Sequence, residues 1–276
     1  MKKYFYVLII FFVFVLSGFA QKETRVLYKQ IDTTRLYMNV YSPENLNPDI
    51  SYPAIVFFFG GGWNGGSVKQ FEKHAKYFAN RGMVSFLADY RVKGRQQTSP
   101  FESLKDAKTA IRFIRENAKE YHVDINKVVA SGGSAGGHLA AATALIENYN
   151  EKSDDLSLSC IPNALVLFNP VIDNGPGGYG YDRIGENYKS FSPLHNIMKG
   201  ASPTIIFLGT EDHLIPVETM EYYKTVMEKV GSRCDLFLYE GEGHGFFNAS
   251  KKKNYESTIS EADKFLTSLG YLSELE

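Results

Sequence analysis

The chain has 276 residues, of which 44% are hydrophobic and 22% are charged. This is the composition of an ordinary globular protein, and the length is sufficient to bury a large core. The 30 basic and 31 acidic residues leave a formal net charge of -1, which provides no basic field and argues against nucleic-acid binding.

Residues 1–20 have the layout of a secretory signal peptide. Lys2 and Lys3 precede an apolar run that ends near Leu16, and small residues follow up to Ala20. The alternative is a membrane anchor, but the run is shorter than the roughly 20 apolar residues that a spanning helix needs. We therefore expect cleavage after Ala20 and export to the periplasm or the medium. The mature protein would be one domain, residues 21–276, with no stable membrane insertion.

Strand-like and helix-like patterns alternate along the rest of the chain. Strands are predicted at residues 25–31, 36–41, 54–59, 83–88, 127–130, 164–168, 204–208 and 236–239. Helices are predicted at residues 70–81, 101–120, 135–146, 217–230 and 255–269. The first two strands have the spacing of an antiparallel hairpin. The later alternation predicts an α/β fold with a mostly parallel sheet and helices on both faces.

An insertion and two cysteines stand out from this alternation of strands and helices. Residues 173–188 are rich in glycine and tyrosine, which is compatible with a cap over the carboxyl edge of the sheet or with a glycine-rich surface loop. Cys160 and Cys234 each precede an apolar run, so they could begin neighbouring strands and pair, or remain separate thiols. Two cysteines provide neither a disulfide framework nor a metal site.

The run Gly132-Gly133-Ser134-Ala135-Gly136 contains the Gly-x-Ser-x-Gly pattern between a predicted strand and a predicted helix. In this context the pattern is typical of a nucleophile elbow, which raises the serine side chain above the sheet. Ser134 is therefore the predicted nucleophile. An inert serine in a small-residue turn is the alternative.

A serine nucleophile needs donors for the oxyanion that forms on the substrate. Gly61 and Gly62 follow a predicted strand and can bring backbone amides close to a substrate. The amide of Ala135, at the start of the elbow helix, is the second expected source of a hydrogen bond. Trp63 is a further candidate contact, and a tight strand exit is the alternative for the glycine loop.

The general base must be a histidine that is oriented by a carboxylate, and both are expected after the serine in chain order. His244 lies in a glycine-rich loop after the last predicted strand, where a base is expected. Asp212 follows the preceding strand and is the predicted acid, with Glu211 as its rival. A capping or surface role is the alternative for either carboxylate.

Five segments together resemble the esterase and lipase branch of the α/β hydrolases, over roughly residues 52–247. They are Gly60-Gly61-Gly62-Trp63, Asp89-Tyr90-Arg91, Gly132-Gly133-Ser134-Ala135-Gly136-Gly137-His138, Gly209-Thr210-Glu211-Asp212 and Gly243-His244-Gly245-Phe246. Within that branch the chain looks most like exported bacterial carbohydrate esterases of the acetylxylan-esterase and feruloyl-esterase types. Many relatives have a histidine before the triple glycine, where this chain has Phe59. The sequence therefore leaves open what braces the glycine loop.

The resemblance implies the α/β-hydrolase fold and hydrolysis of an ester through an acyl-enzyme, with no metal or organic cofactor. The expected substrate is a small acyl ester or an acylated carbohydrate that loses an acetyl or other short acyl group. Tyr181 and Arg183 in the insertion, together with Trp63, are the predicted substrate contacts. The alternatives are a serine peptidase of the prolyl-oligopeptidase type and a non-catalytic ligand-binding homologue.

Overall fold

The computed structural model describes residues 23–275, so the predicted signal peptide lies outside the described residues. The strands are β1 Glu23–Ile31, β2 Thr34–Tyr41, β3 Tyr52–Phe58, β4 Val84–Ala88, β5 Val123–Gly133, β6 Ala164–Phe168, β7 Thr204–Gly209 and β8 Cys234–Tyr239. They form one sheet in the order β1-β2-β4-β3-β5-β6-β7-β8. β1 and β2 form an antiparallel hairpin, β2 is antiparallel to β4, and the remaining neighbours are parallel. The predicted α/β-hydrolase fold with a mostly parallel sheet is confirmed.

Helices cover both faces of this sheet. Their bounds are α1 Glu72–Asn80, α2 Lys93–Gln96, α3 Pro100–Glu116, α4 Ala118–Tyr121, α5 Ala135–Leu145, α6 Tyr181–Ile184, α7 Tyr188–Phe191, α8 Val217–Lys229 and α9 Lys252–Ser268. Helices α3, α5 and α8 contribute to one core cluster, and α1 and α9 to the other. Side chains of β3 alternate between the two clusters, because successive residues of a strand point to opposite faces. A strand buried on both faces therefore reads as one continuous apolar run.

The helix predicted at residues 101–120 is in fact two helices. α3 ends at Glu116, and Asn117 takes a non-helical conformation before the short helix α4. The Asn117 side chain donates a hydrogen bond at 2.9 Å to the carbonyl of Phe113, which also accepts the backbone amide of Asn117. This side-chain bond competes with helix continuation, and periodicity alone does not reveal it.

The two cysteines do not begin neighbouring strands, because β7 lies between β6 and β8. Both are free and buried thiols. Burial raises the pKa of Cys234 to about 12, so this thiol stays protonated at neutral pH. Over residues 23–275, no helix is both long and apolar enough to cross a membrane.

The insertion at residues 173–188 follows β6 at the carboxyl edge of the sheet. It contains α6 and a 3₁₀ turn, Gly185–Asn187, and leads into α7. The amide of Asn174 donates to Ser192 Oγ at 2.8 Å, and its Nδ2 donates to the carbonyl of Tyr179 at 2.9 Å. These bonds hold the insertion as a compact cap.

Candidate active site

Ser134 occupies a sharp turn between β5 and α5. Its backbone has φ 55° and ψ −121°, a conformation that non-glycine residues rarely adopt. Gly136 permits the turn, because a Cβ atom there would lie 2.6 Å from the carbonyl carbon of Phe58. At Gly133 a Cβ atom would lie 2.5 Å from the ring of Phe247. The close approach of β3 and the histidine loop explains why small residues flank the serine.

Ser134, His244 and Asp212 form one continuous chain of hydrogen bonds. Ser134 Oγ lies 2.9 Å from His244 Nε2, and His244 Nδ1 lies 2.7 Å from Asp212 Oδ2. The second oxygen of Asp212 accepts the amides of Leu214 at 2.9 Å and Ile215 at 3.1 Å. The carboxylate is thus buried, satisfied and fixed toward the imidazole. The structure brings together all three residues predicted as catalytic.

Glu211, the predicted rival of Asp212, and the histidines His138 and His195 lie outside this chain of hydrogen bonds. Glu211 is exposed, although it precedes Asp212 directly. His138 is buried in the first full turn after Ser134, where its Nε2 lies 2.9 Å from the carbonyl of Phe191. Burial lowers the pKa of His138 to about 4, which keeps the ring neutral. His195 lies 3.9 Å from Asp173 in the cap region.

The glycine loop comes close to the serine from the end of β3. A Cβ atom at Gly60 would lie 3.4 Å from Ser134 Cβ. Gly61 and Gly62 have φ values of 127° and 62°, which favour glycine. Within residues 23–275, neither of their amides donates a hydrogen bond, and Ala135 is the first residue of α5, where amides lack helical acceptors. The amides predicted to bind the oxyanion are therefore unpaired.

Three side chains brace this loop in the absence of a preceding histidine. Gln70 Oε1 accepts the amide of Gly60 at 2.7 Å, and Tyr90 donates its hydroxyl to the carbonyl of Phe59 at 2.6 Å. Arg183 Nη1 donates to the carbonyl of Gly62. Gln70 was not predicted from the sequence, Tyr90 was recognised only as part of a motif, and Arg183 was predicted as a substrate contact.

Two further polar residues connect the braces to the loop that carries His244. Gln70 Nε2 donates to Asn248 Oδ1 at 3.0 Å, and Asn248 Nδ2 donates to the carbonyl of Gly245 at 2.8 Å. Asn169, directly after β6, accepts the amide of Gly245 at 2.9 Å. Its Nδ2 lies 3.5 Å from His244 Nε2. The glycine loop and the histidine loop are thus held by one network.

The predicted substrate contacts occupy different positions. Trp63 is only 1% exposed and packs edge-on against His138. The Arg183 guanidinium lies 5.2 Å from the Trp63 ring centroid, so these two residues are brought together. Tyr181 lies apart from them, and its hydroxyl donates to Glu186 at 2.6 Å. Trp63 thus supports the wall of the site, with little surface of its own for a substrate.

No group of three or more potential metal ligands occurs within residues 23–275. The hydrogen-bonded serine, the imidazole and the unpaired amides are instead the parts required for acyl transfer.

Solved structures of a bacterial esterase share this architecture. The apo form of Thermogutta terrifontis esterase 2 has a TM-score of 0.88 and 42% sequence identity, over 92% of this chain and 97% of that one. The chain belongs to the α/β-hydrolase superfamily of serine esterases. The same Thermogutta esterase is known in a propionate-bound and a butyrate-bound form, with TM-scores of 0.87.

Family models and curated relatives agree with this family assignment. Residues 38–174 match the BD-FAE family, and residues 175–270 match the dienelactone hydrolase family. The acetylxylan esterase of Xylanibacter ruminicola is 26% identical over 91% of this chain and 52% of its own length. An isoprenylcysteine alpha-carbonyl methylesterase of Arabidopsis thaliana is 26% identical over 83% of this chain and 58% of its own. The chain thus spans about half the length of the curated relatives it matches.

Proposed function

We propose that this carboxylic ester hydrolase removes acetyl or other short acyl groups from a polysaccharide or oligosaccharide through a Ser-Asp-His triad. The observation that carries the proposal is the continuous hydrogen-bonded chain from Ser134 through His244 to Asp212. A related esterase binds propionate and butyrate, which supports short acyl groups. Similarity to an acetylxylan esterase supports a carbohydrate as the alcohol.

In the proposed reaction, Ser134 Oγ attacks the ester carbonyl while its proton passes to His244 Nε2. Asp212 accepts a hydrogen bond from Nδ1, which holds the ring in the tautomer that leaves Nε2 free to accept the proton. The amides of Gly61, Gly62 and Ala135 bind the oxyanion of the tetrahedral intermediate. The sugar hydroxyl departs with the proton from His244, and water then releases the acid by the same steps.

Steady-state kinetics with p-nitrophenyl esters of increasing acyl length tests the chemistry. We expect acetate to butyrate esters to be preferred, and Ser134→Ala and His244→Gln to lower kcat by at least about 10³-fold. His213→Gln is the matched control, because His213 is exposed and adjoins Asp212 outside the hydrogen-bonded chain. Wild-type rates in Ser134→Ala would overturn the assignment.

Acetate release from acetylated xylan and other acetylated polysaccharides tests the substrate class. Cleavage of aryl acetates without release from any polysaccharide would overturn the carbohydrate proposal and leave the esterase. Export is a separate proposal, which predicts that the mature protein recovered outside the cytoplasm begins at Gln21. An intact Met1 terminus on that protein would contradict it.

A further inference from the structure

A cavity adjoins the glycine loop on the side of Trp63 and Asn64. It has a volume of about 250 Å³, and Lys93, Gln97 and Arg183 also line it. Among the described residues, no aspartate or glutamate lines this cavity. Two cationic side chains and two amides therefore line a space with no carboxylate of its own.

The backbone at Lys93 and the side chain of Arg183 are both bonded to the glycine loop. The backbone amide of Lys93 donates to the carbonyl of Trp63 at 2.9 Å, and the next amide, of Gly94, donates to the carbonyl of Asn64 at 2.8 Å. Arg183 bonds to the carbonyl of Gly62 through Nη1. Since Gly60 lies against Ser134, the cavity and the serine flank the same short loop.

The donors of this cavity exceed its acceptors. In the described part of the chain, Arg95 pairs with Asp89, whereas Lys93 has no carboxylate within ion-pair distance. The carboxylate nearest Arg183 is that of Asp182, 3.6 Å from Nε, and its side chain is 79% exposed. Trp63 Nε1 is buried and lacks a hydrogen-bond partner within residues 23–275. An anion in the cavity would pair with the Lys93 ammonium and with the Arg183 donors that the glycine loop leaves free.

The neighbouring charges are compatible with an anion. Glu102 is bonded to Ser99 of the cavity lining: its carboxylate accepts the amide of Ser99 at 3.0 Å and also the hydroxyl of Ser99. Glu102 therefore caps the N-terminus of α3, and the cation within ion-pair distance of it is Lys105, at 3.7 Å.

We propose that this cavity is a subsite for a carboxylate-bearing sugar, a uronate next to the acylated sugar of the substrate. Lys93 and Arg183 bind the carboxylate, and Asn64 and Gln97 bind hydroxyl groups of the ring. The proposal rests on the carbohydrate esterase function proposed above and specifies its substrate class. A neutral acylated oligosaccharide would bind the same site without the ionic contacts.

The test compares kcat/KM for acetylated xylo-oligosaccharides that carry a glucuronate with kcat/KM for the same preparation after carboxyl reduction. We expect the acidic substrate to be preferred, and this preference to weaken as salt screens the exposed charges. Lys93→Ala should lower the ratio about threefold to fivefold, as expected for one exposed ion pair, and Lys93→Glu by more. Lys119→Glu is the matched control on exposed α4, beside the start of β5, and should leave the ratio unchanged.

The remaining outcomes separate this inference from the proposed function. Equal rates on acidic and reduced oligosaccharides would overturn the subsite and preserve the carbohydrate esterase. If neither is cleaved while p-nitrophenyl acetate is, the carbohydrate function itself fails, and the subsite with it. A preference for p-nitrophenyl hemisuccinate over the butyrate ester, without preference for acidic sugars, would place the carboxylate on the acyl group and overturn the proposal.

Discussion

Gln70 is the side chain on which the glycine loop and the histidine loop both depend. Replacing it with leucine removes the acceptor for the amide of Gly60, at 2.7 Å, and the donor to Asn248, at 3.0 Å. An unsatisfied buried amide costs about 1–3 kcal/mol, and the second hydrogen bond contributes about 1 kcal/mol. We therefore expect Gln70→Leu to lower the free energy of unfolding by about 2–4 kcal/mol in urea titrations.

The same substitution should impair transition-state stabilisation more than substrate binding. Complete loss of one oxyanion donor costs about 10²–10³ in kcat, so a displaced loop that keeps its donors should lose about 10-fold to 100-fold. KM for p-nitrophenyl acetate should change less than kcat. The inhibition constant of a trifluoromethyl ketone, whose serine adduct carries an oxyanion, should rise in parallel with the fall in kcat.

Asn248→Leu is the comparison variant, because it removes the bonds to Gln70 and to the carbonyl of Gly245 but leaves the Gly60 contact in place. It should raise the inhibition constant of the trifluoromethyl ketone less than Gln70→Leu does. Unchanged kcat and inhibitor affinity in Gln70→Leu would refute the argument that this side chain replaces the brace that a histidine supplies in relatives.

Three other substitutions test separate parts of the account. Gly136→Ala places a Cβ atom 2.6 Å from the Phe58 carbonyl carbon and should destabilise the fold by at least about 1–3 kcal/mol, and wild-type stability in denaturant would contradict this. Asn169→Leu removes the acceptor of the Gly245 amide and should lower kcat about tenfold, measured on aryl acetates; an unchanged kcat would contradict it. Burial lowers the pKa of His74 from its ordinary 6.5 to about 3. Between pH 3 and pH 6.5 the unfolded chain therefore binds more protons at this ring than the folded protein does. Stability should therefore fall by about 2 kcal/mol from pH 7 to pH 5 on account of this ring, and His74→Phe should remove that part of the pH dependence. An identical pH dependence in both proteins would disprove it.

The strands, and the position of the serine, the aspartate and the histidine after successive strands, could be predicted from the local sequence pattern. β6 occupies residues 164–168 as expected, because a strand buried on both faces is one apolar run with polar neighbours. Ser134, Asp212 and His244 each follow a strand, and parallel strands deliver their carboxyl ends to one edge. Their contact in space followed from chain order and topology.

The braces of the glycine loop could not be predicted, because they join residues far apart in sequence. Gln70 and Asn248 are 178 positions apart, and Arg183 and Gly62 are 121 apart. Gln70 lies in a 3₁₀ turn, Val68–Phe71, and has no local feature that marks it as a brace. Trp63 likewise looked like a surface contact, and only the packing of Arg183 and His138 around it shows that it is buried.

Covalent labelling with paraoxon tests the proposed nucleophile most directly. A related esterase has been solved as its paraoxon adduct, which makes this reagent suitable. We expect inactivation with one phosphoryl group per chain, located on Ser134 by peptide mass spectrometry, and no labelling of Ser134→Ala. Inactivation of the wild type with the phosphoryl group on any other residue would contradict the assignment of Ser134.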